Sequence, residues 1–160
     1  IITVDPHTTF MLKKIYPEMV PSFDVQVFHY TQLLPDLETL PFSSRTMPRE
    51  FVIHDSCVMT RDLAIIDPIR NLARTLGVYL IEPENSKENT GCCGGPVEYA
   101  FGDLCHKISR IRIKELAQKG KDIITACPIC LINLRQYEKE MGVRIWDLGE
   151  IIYQSMDHSQ

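Results

Sequence analysis

Ile123-Ile-Thr-Ala-Cys-Pro-Ile-Cys-Leu-Ile-Asn-Leu-Arg-Gln-Tyr-Glu-Lys-Glu-Met141 is the stretch that decides the fold. With Asp122 ahead of it, the β-branched run at its start predicts a strand over Asp122 to Ala126. The mixed apolar and charged pattern of Leu131 to Met141 predicts an amphipathic helix. Pro128 suits the opening of that helix, because the first turn leaves its N–H groups unbonded and proline has none to lose. Strand, turn and helix in this order make half of a βαβ unit.

The same alternation runs the length of the chain. Further strands are expected over Ile1 to Val4, Val25 to His29, Phe51 to His54, Val78 to Glu82 and Val143 to Trp146. Helices are expected near Thr8 to Met19, Thr31 to Leu40, Thr60 to Leu76, Pro96 to Lys119 and Leu148 to Met156. That order predicts an α/β fold, a Rossmann-like parallel sheet with helices on both faces. In the longest helix Leu104, Ile108, Ile111, Leu116 and Ala117 recur at helical spacing and mark the expected buried stripe, which Gly120 ends. Pro68 is expected to kink or break the third helix near Asp67. The polar stretch from Glu84 to Thr90 reads as an exposed loop.

The bulk properties exclude several classes of protein. A chain of 160 residues with 44% apolar and 24% charged content suits one globular domain. A net charge of −4, with no basic run, offers no electrostatic footprint for nucleic acid or an anionic membrane. No apolar run approaches the roughly 20 residues of a membrane helix, so no direct membrane insertion is expected. The opening Ile-Ile-Thr-Val reads as the middle of a strand, hence as part of a larger protein.

Five of the 6 cysteines form one array: Cys57, the adjacent pair Cys92 and Cys93, and the Cys127-Pro-Ile-Cys130 motif. Each cluster follows the carboxyl end of an expected strand, where open α/β sheets gather their ligands. Pro96 and Pro128 suggest helices that start just after the cysteines and aim free backbone N–H groups at the thiolates. Gly91, Gly94 and Gly95 leave the backbone beside the pair open to close approach. An adjacent pair and a CxxC in a chain rich in strands and helices favour thiolate ligation over a disulfide scaffold, and hence a cytoplasmic home. An iron–sulfur cluster is the natural use of a sulfur-only array. Zinc, needing four of the five, is the alternative metal, and a thioredoxin-like CxxC leaves three cysteines unexplained. Cys105, inside the long helix, has no spaced partner and is read as a small buried apolar residue, with Phe28 and Trp146 read as core.

An internal repeat appears at an offset of 122 residues, where Ile1 to Met19 aligns with Ile123 to Met141 and seven of nineteen positions are identical. With a gap of four residues the alignment extends to Phe28 against Trp146 and to Leu33 and Leu34 against Ile151 and Ile152. Asp5 and Thr8 stand where the second copy has Cys127 and Cys130. Asp5 is read as a helix cap ahead of Pro6, and Asp5 with His7 as too few ligands for a metal of their own.

The segments His54-Asp-Ser-Cys57, Gly91-Cys-Cys-Gly-Gly95 and Thr125-Ala-Cys-Pro-Ile-Cys130 together resemble the cysteine-rich CCG domain. That domain occurs in heterodisulfide reductase subunits and in iron–sulfur subunits of lactate, glycolate and glycerol-3-phosphate dehydrogenase complexes. The resemblance implies that residues 1–50 are the tail of a degenerate first repeat and 51–160 a second repeat carrying the metal site. It further implies that Cys57, Cys92, Cys93, Cys127 and Cys130 hold a non-cubane [4Fe-4S] cluster. His54 and Asp55 match the family's motif and are candidates to hydrogen-bond a cluster sulfur or deliver a proton. The implied functions are reduction of a disulfide substrate or electron relay within a dehydrogenase complex, with a zinc-stabilised assembly module as the competing class. The implied partners are a ferredoxin-like module, a flavoprotein or a membrane cytochrome subunit, and a location peripheral to a membrane complex would follow from the last.

Overall fold

The computed structural model describes residues 1–34 and 50–156. Its centre is a four-stranded, wholly parallel sheet in the order β4 (Tyr79–Ile81), β3 (Glu50–Ile53), β5 (Asp122–Thr125), β6 (Arg144–Asp147). A separate parallel pair is formed by β1 (Ile2–Thr3) and β2 (Phe28–His29). The expected α/β class with a parallel sheet is therefore what forms, with the first two strands set apart in a sheet of their own.

Alternate residues of the strands feed two apolar layers, as strand geometry requires. Phe51, Ile53, Ile124 and Trp146 pack on one face with Ile69 and Leu72 of α3 (Asp67–Thr75) and Ile151 of α7 (Leu148–Ser155). Val52, Ile123 and Ile145 pack on the other with Ile113 and Leu116 of α4 (Gly102–Ala117) and Leu134 of α5 (Pro128–Arg135). Covering both faces is the normal requirement of a parallel sheet.

The two βα units that the sequence aligns are built alike. Ile2 pairs with Phe28 and Thr3 with His29, while Ile124 pairs with Trp146 and Thr125 with Asp147. Asp5 caps α1 (Pro6–Phe10), which continues through a π-helical stretch, Met11–Ile15, into α2 (Tyr16–Met19). Cys127 occupies the same capping position before α5. A reciprocal capping arrangement joins His29 to Gln32, and another joins Asp147 to Glu150.

Several expectations are corrected. The span from Thr60 to Leu76 is not one helix, and the break expected near Asp67 is what forms: a π-helical turn, Val58–Asp62, ends at Leu63, and α3 restarts at Asp67 with Pro68 in its first turn, where proline loses no bond. The second strand is confined to Phe28–His29. Leu131 to Met141 divides into the end of α5 and a short α6 (Glu138–Met141). Of the helix expected over Thr31 to Leu40, residues 30–32 form a 3-10 turn and 35–40 lie outside the described residues. The largest error concerns α4. Leu104 is 46% and Ile111 71% exposed, and the buried side is Cys105, Ser109, Arg112, Ile113 and Leu116. The helix turns polar side chains inward because it lies against the cysteine segments, whose backbone and ring atoms need partners. Phe28 is half-buried, beneath Lys13, whereas Trp146 is buried.

Candidate metal centre

The ends of β3 and β5, the loop after β4 and the start of α5 bring the five array cysteines to one place. All six cysteines are free thiols. Cys57 hydrogen-bonds Cys92, Cys92 its neighbour Cys93, Cys93 Cys130, and Cys130 Cys127, so the array forms one continuous file. Cys93, Cys127 and Cys130 are buried, while Cys57 and Cys92 are partly exposed, which leaves that end open to solvent. Cys105 lies apart from the file, and its Sγ donates to Asn133 Oδ1 at 3.2 Å.

Crowding sets the charge of these thiols. Hydrogen bonds from Cys57 and Cys93 hold Cys92 far below the ordinary thiol range. Cys57 is correspondingly pushed up, first by its bond to Cys92 and then by burial. Cys127 falls to about 5, chiefly through the Cys130 thiol and despite burial, with His7 and the amides of Ile129 and Cys130 adding to the effect. Cys130, fully enclosed, rises because it gives its hydrogen bonds to Cys127 and Cys93. For Cys93 the bond to Cys130 favours the thiolate, but the bond to Cys92 and burial outweigh it. Without a cation only some of the five ionise. A bound cation would let all of them ionise.

The expected helix N-terminus serves Cys127, which precedes Pro128 directly. It does not serve the Cys92–Cys93 pair, because Pro96 opens only a 3-10 turn, Gly95–Val97, and α4 begins at Gly102. Turn amides replace it: Gly94 N–H points to Cys92 Sγ at 3.3 Å and Gly95 N–H to Cys93 Sγ at 3.4 Å. Gly94 is required twice over, with φ of +88° and with Cys105 O only 2.6 Å from where a Cβ would stand.

Charged residues hold the file together: Asp55, singled out in the sequence, is gripped by Arg70, which the sequence reading missed, as it missed Arg61. Asp55 is 3% exposed. Its carboxylate accepts from Arg70 Nη1 and Nη2 at 3.2 and 2.9 Å and from Lys87 N–H at 2.7 Å, while its carbonyl accepts from Thr90 Oγ1 at 3.0 Å. Arg70 also grips Glu82 at the end of β4, and Arg61 donates to the carbonyls of Glu88 and Thr90. These contacts fasten the loop before Cys92 onto the segment that carries Cys57. Asp55 thus has its hydrogen-bonding capacity engaged by Arg70 and the loop.

His54 is 1% exposed, and Arg112, itself 2% exposed, donates Nε–H to its Nδ1 at 3.1 Å. An arginine has only protons to give, so Nδ1 must be the unprotonated nitrogen and Nε2 carries the hydrogen. Burial, reinforced by Arg112, pushes the His54 pKa down to about 3 and keeps the ring in this neutral form. A ring nitrogen of His54 lies within 4.8 Å of the sulfurs of both Cys93 and Cys130, and Nε2 is buried without a partner. Arg112 also donates to Glu115 at 2.7 Å and to Thr90 Oγ1 at 3.1 Å. No local pattern in the sequence marks Arg112, whose partner His54 lies far away along the chain.

Among the described residues, four buried side-chain atoms lack a hydrogen-bond partner: His7 Nε2, His54 Nε2, Ser56 Oγ and Thr125 Oγ1. His54 and Ser56 lie on the segment leading to Cys57, Thr125 leads to Cys127, and His7 reaches the Cys127 thiol. Buried polar atoms are normally satisfied, so their concentration along the cysteine segments fits a site made for a further group. Soft thiolates with hydrogen-bond donors beside them suit an anionic, sulfur-rich metal group.

Comparison with known proteins agrees with this chemistry. Across 98% of the chain it is 30% identical to the "Probable iron-sulfur-binding oxidoreductase FadF" of Bacillus subtilis, covering 23% of that protein. It is 29% identical over 98% of its length to the EtfAB:quinone oxidoreductase of Syntrophomonas wolfei, covering 24% of it. It is 32% identical over 68% of its length to one subunit of the dihydromethanophenazine:CoB--CoM heterodisulfide reductase of Methanosarcina barkeri, covering 28% of that subunit. The chain therefore spans about a quarter of these relatives. The model of the CCG family, described as a cysteine-rich domain, matches residues 51–135, more than half of the chain, and this protein belongs to that family.

Proposed function

We propose that this domain is an iron–sulfur redox module in which Cys57, Cys92, Cys93, Cys127 and Cys130 hold the cluster. The concentration of unpartnered polar atoms along the cysteine segments carries the reading. A non-cubane [4Fe-4S] centre suits five thiolates, whereas a tetrahedral zinc site takes four. When bound, such a cluster supplies one electron at a time. The chain's own residues would hold it with thiolates, direct the amides of Gly94 and Gly95 at the pair, and offer the His54 Nε2–H as a donor to sulfur. The names of the two relatives that match over 98% of the chain, an iron-sulfur-binding oxidoreductase and a quinone oxidoreductase, support electron transfer with other redox subunits. Among the described residues no helix is long and apolar enough to cross a membrane. On this reading the domain sits at the periphery of a membrane complex. Residues 1–50 are, on this reading, the tail of a degenerate first repeat, and 51–160 the second.

Disulfide reduction is the second reading. The partly exposed Cys57 and Cys92 favour it, since they give an external sulfur a route to the site. Anaerobic purification with iron, sulfide and zinc analysis and electron paramagnetic resonance tests the module. Stoichiometric zinc without iron or sulfide would overturn it. Cys93→Ala is expected to abolish the centre, and a disulfide that perturbs its resonance would select the second reading over pure relay.

A further inference from the structure

Two histidines stand beside the thiol file, and their second ring nitrogens are tied in opposite senses. At His54 an arginine donates to Nδ1, which leaves Nε2 carrying hydrogen and unable to bind a metal. At His7 the neighbour of Nδ1 is a carboxylate, Asp5 Oδ1, at 3.4 Å. A carboxylate only accepts, so Nδ1 holds its proton; the Cys127 thiol raises the His7 pKa against burial, with Asp5 adding to it, and it is the neutral ring, the form a metal selects, that presents a lone pair at Nε2. That Nε2 is buried, and the group His7 faces there is the Cys127 thiol, although the His7 side chain as a whole is 32% exposed. Ligand atoms of Asp5, His7 and Cys127 all lie within 4.8 Å of one another. A carboxylate fixing the far nitrogen of a histidine is the arrangement that orients and strengthens an imidazole as a metal ligand.

The fold holds His7 in this place. Asp5 Oδ2 accepts from Thr8 N–H at 2.8 Å and from Thr8 Oγ1 at 2.9 Å, so the first turn of α1 is closed without thiols. Pro6 opens the helix, and α1 lies against the turn that follows Cys57. The positions that align with Cys127 and Cys130 thus serve as a cap, and the residue between them is free to face the neighbouring site. Its aligned counterpart, Ile129, is apolar.

We propose that His7 is a nitrogen ligand to the metal bound at Cys127, with Asp5 as its orienting carboxylate. This rests on the reading of the five cysteines as a metal centre but does not require that the metal be iron. It makes the site a mixed one, with thiolates from residues 57–130 and one imidazole from α1. An imidazole adds a ligand without adding negative charge, so the arm would also bear on the centre's redox range.

The test uses the anaerobically prepared protein with 15N-labelled histidine, read by pulsed paramagnetic resonance, and the visible spectrum of the same protein loaded with Co2+ alone. The expected result is the strong nitrogen coupling of a directly bound imidazole, lost in His7→Gln, together with a changed Co2+ ligand field in that variant. Asp5→Asn retains a capping side chain and should keep the fold while weakening Co2+ binding about 10- to 100-fold. Only the weak coupling of a hydrogen-bonded ring, a strong coupling that survives His7→Gln, or identical Co2+ spectra would overturn the proposal. Zinc without iron or sulfide in the native protein would end the iron–sulfur reading, and the Co2+ comparison would still decide whether His7 binds metal.

Discussion

Arg112→Met is the sharpest probe of how the site is organised. Methionine keeps much of the buried length of arginine and removes all of its donors. Three contacts go: Nε–H to His54 Nδ1 at 3.1 Å, a guanidinium N–H to Thr90 Oγ1 at 3.1 Å, and the ion pair with Glu115 at 2.7 Å. The first is the costly one, since it leaves a fully buried acceptor without a partner, about 1–3 kcal/mol. Glu115 is 23% exposed on its side chain and can turn to water, so its pair is worth no more than about 1 kcal/mol. Thr90 still donates to Asp55 O at 3.0 Å and loses little. The sum is roughly 1–4 kcal/mol, or about 2–16 °C in Tm for a domain of this size. Urea and thermal unfolding of the metal-free protein measure it, and a cycle with His54→Leu isolates the shared part, which should be about 1–3 kcal/mol. Nitrogen NMR should find the His54 proton on Nε2 in the parent protein and partly on Nδ1 in the variant. In the loaded protein the weakened donor should lower the midpoint potential. A bond to a charged acceptor is worth about 1.5–3 kcal/mol, which caps the shift near 60–130 mV, and bonding in both oxidation states reduces it to tens of mV. Additive energies with an unchanged tautomer would refute the Arg112–His54 link.

Three further outcomes follow from the same contacts. Asp55→Asn weakens the clamp on Arg70 and Lys87 N–H, with an expected cost of about 2–4 kcal/mol and faster hydrogen exchange over residues 84–91, and unchanged exchange there would count against the clamp. Gly95→Ala places a Cβ 2.1 Å from Ile129 Cγ2 and 2.9 Å from Asn133 Nδ2, so about 1–3 kcal/mol of overpacking and a fall in bound metal per chain are expected. His29 is held near 4 by burial, below the unfolded value of 6.5. Below 6.5 the unfolded chain takes up a proton that the folded chain refuses. Stability is therefore lost as pH falls from 6.5 to about 4, by roughly 3 kcal/mol at most, and His29→Gln should flatten that part of the curve.

Periodicity made the βα alternation legible because each strand buries alternate residues on two apolar layers, and Phe51, Val52 and Ile53 leave little choice of element. It failed on α4 for a physical reason. A stripe count assumes that helices bury hydrocarbon, but this helix packs against a file of thiols, and its inward side is chosen by what His54 Nδ1 and the Cys93 carbonyl need. Arg112 answers the first and Ser109 Oγ the second, at 2.6 Å. The cysteines could be found from spacing because several thiols seldom recur by chance in such an order. Arg70, Thr90 and Arg112 could not, since each acts through a partner far away in sequence and leaves no local pattern. His7 marks the same limit from the other side. Read along the chain, Asp5, Pro6 and Thr8 explain themselves as a helix start, and His7 is only the residue between them. Read in space, that capped turn points an imidazole at Cys127. A position that has no thiol in one unit thus acquires its chemical meaning from the other unit's cysteine.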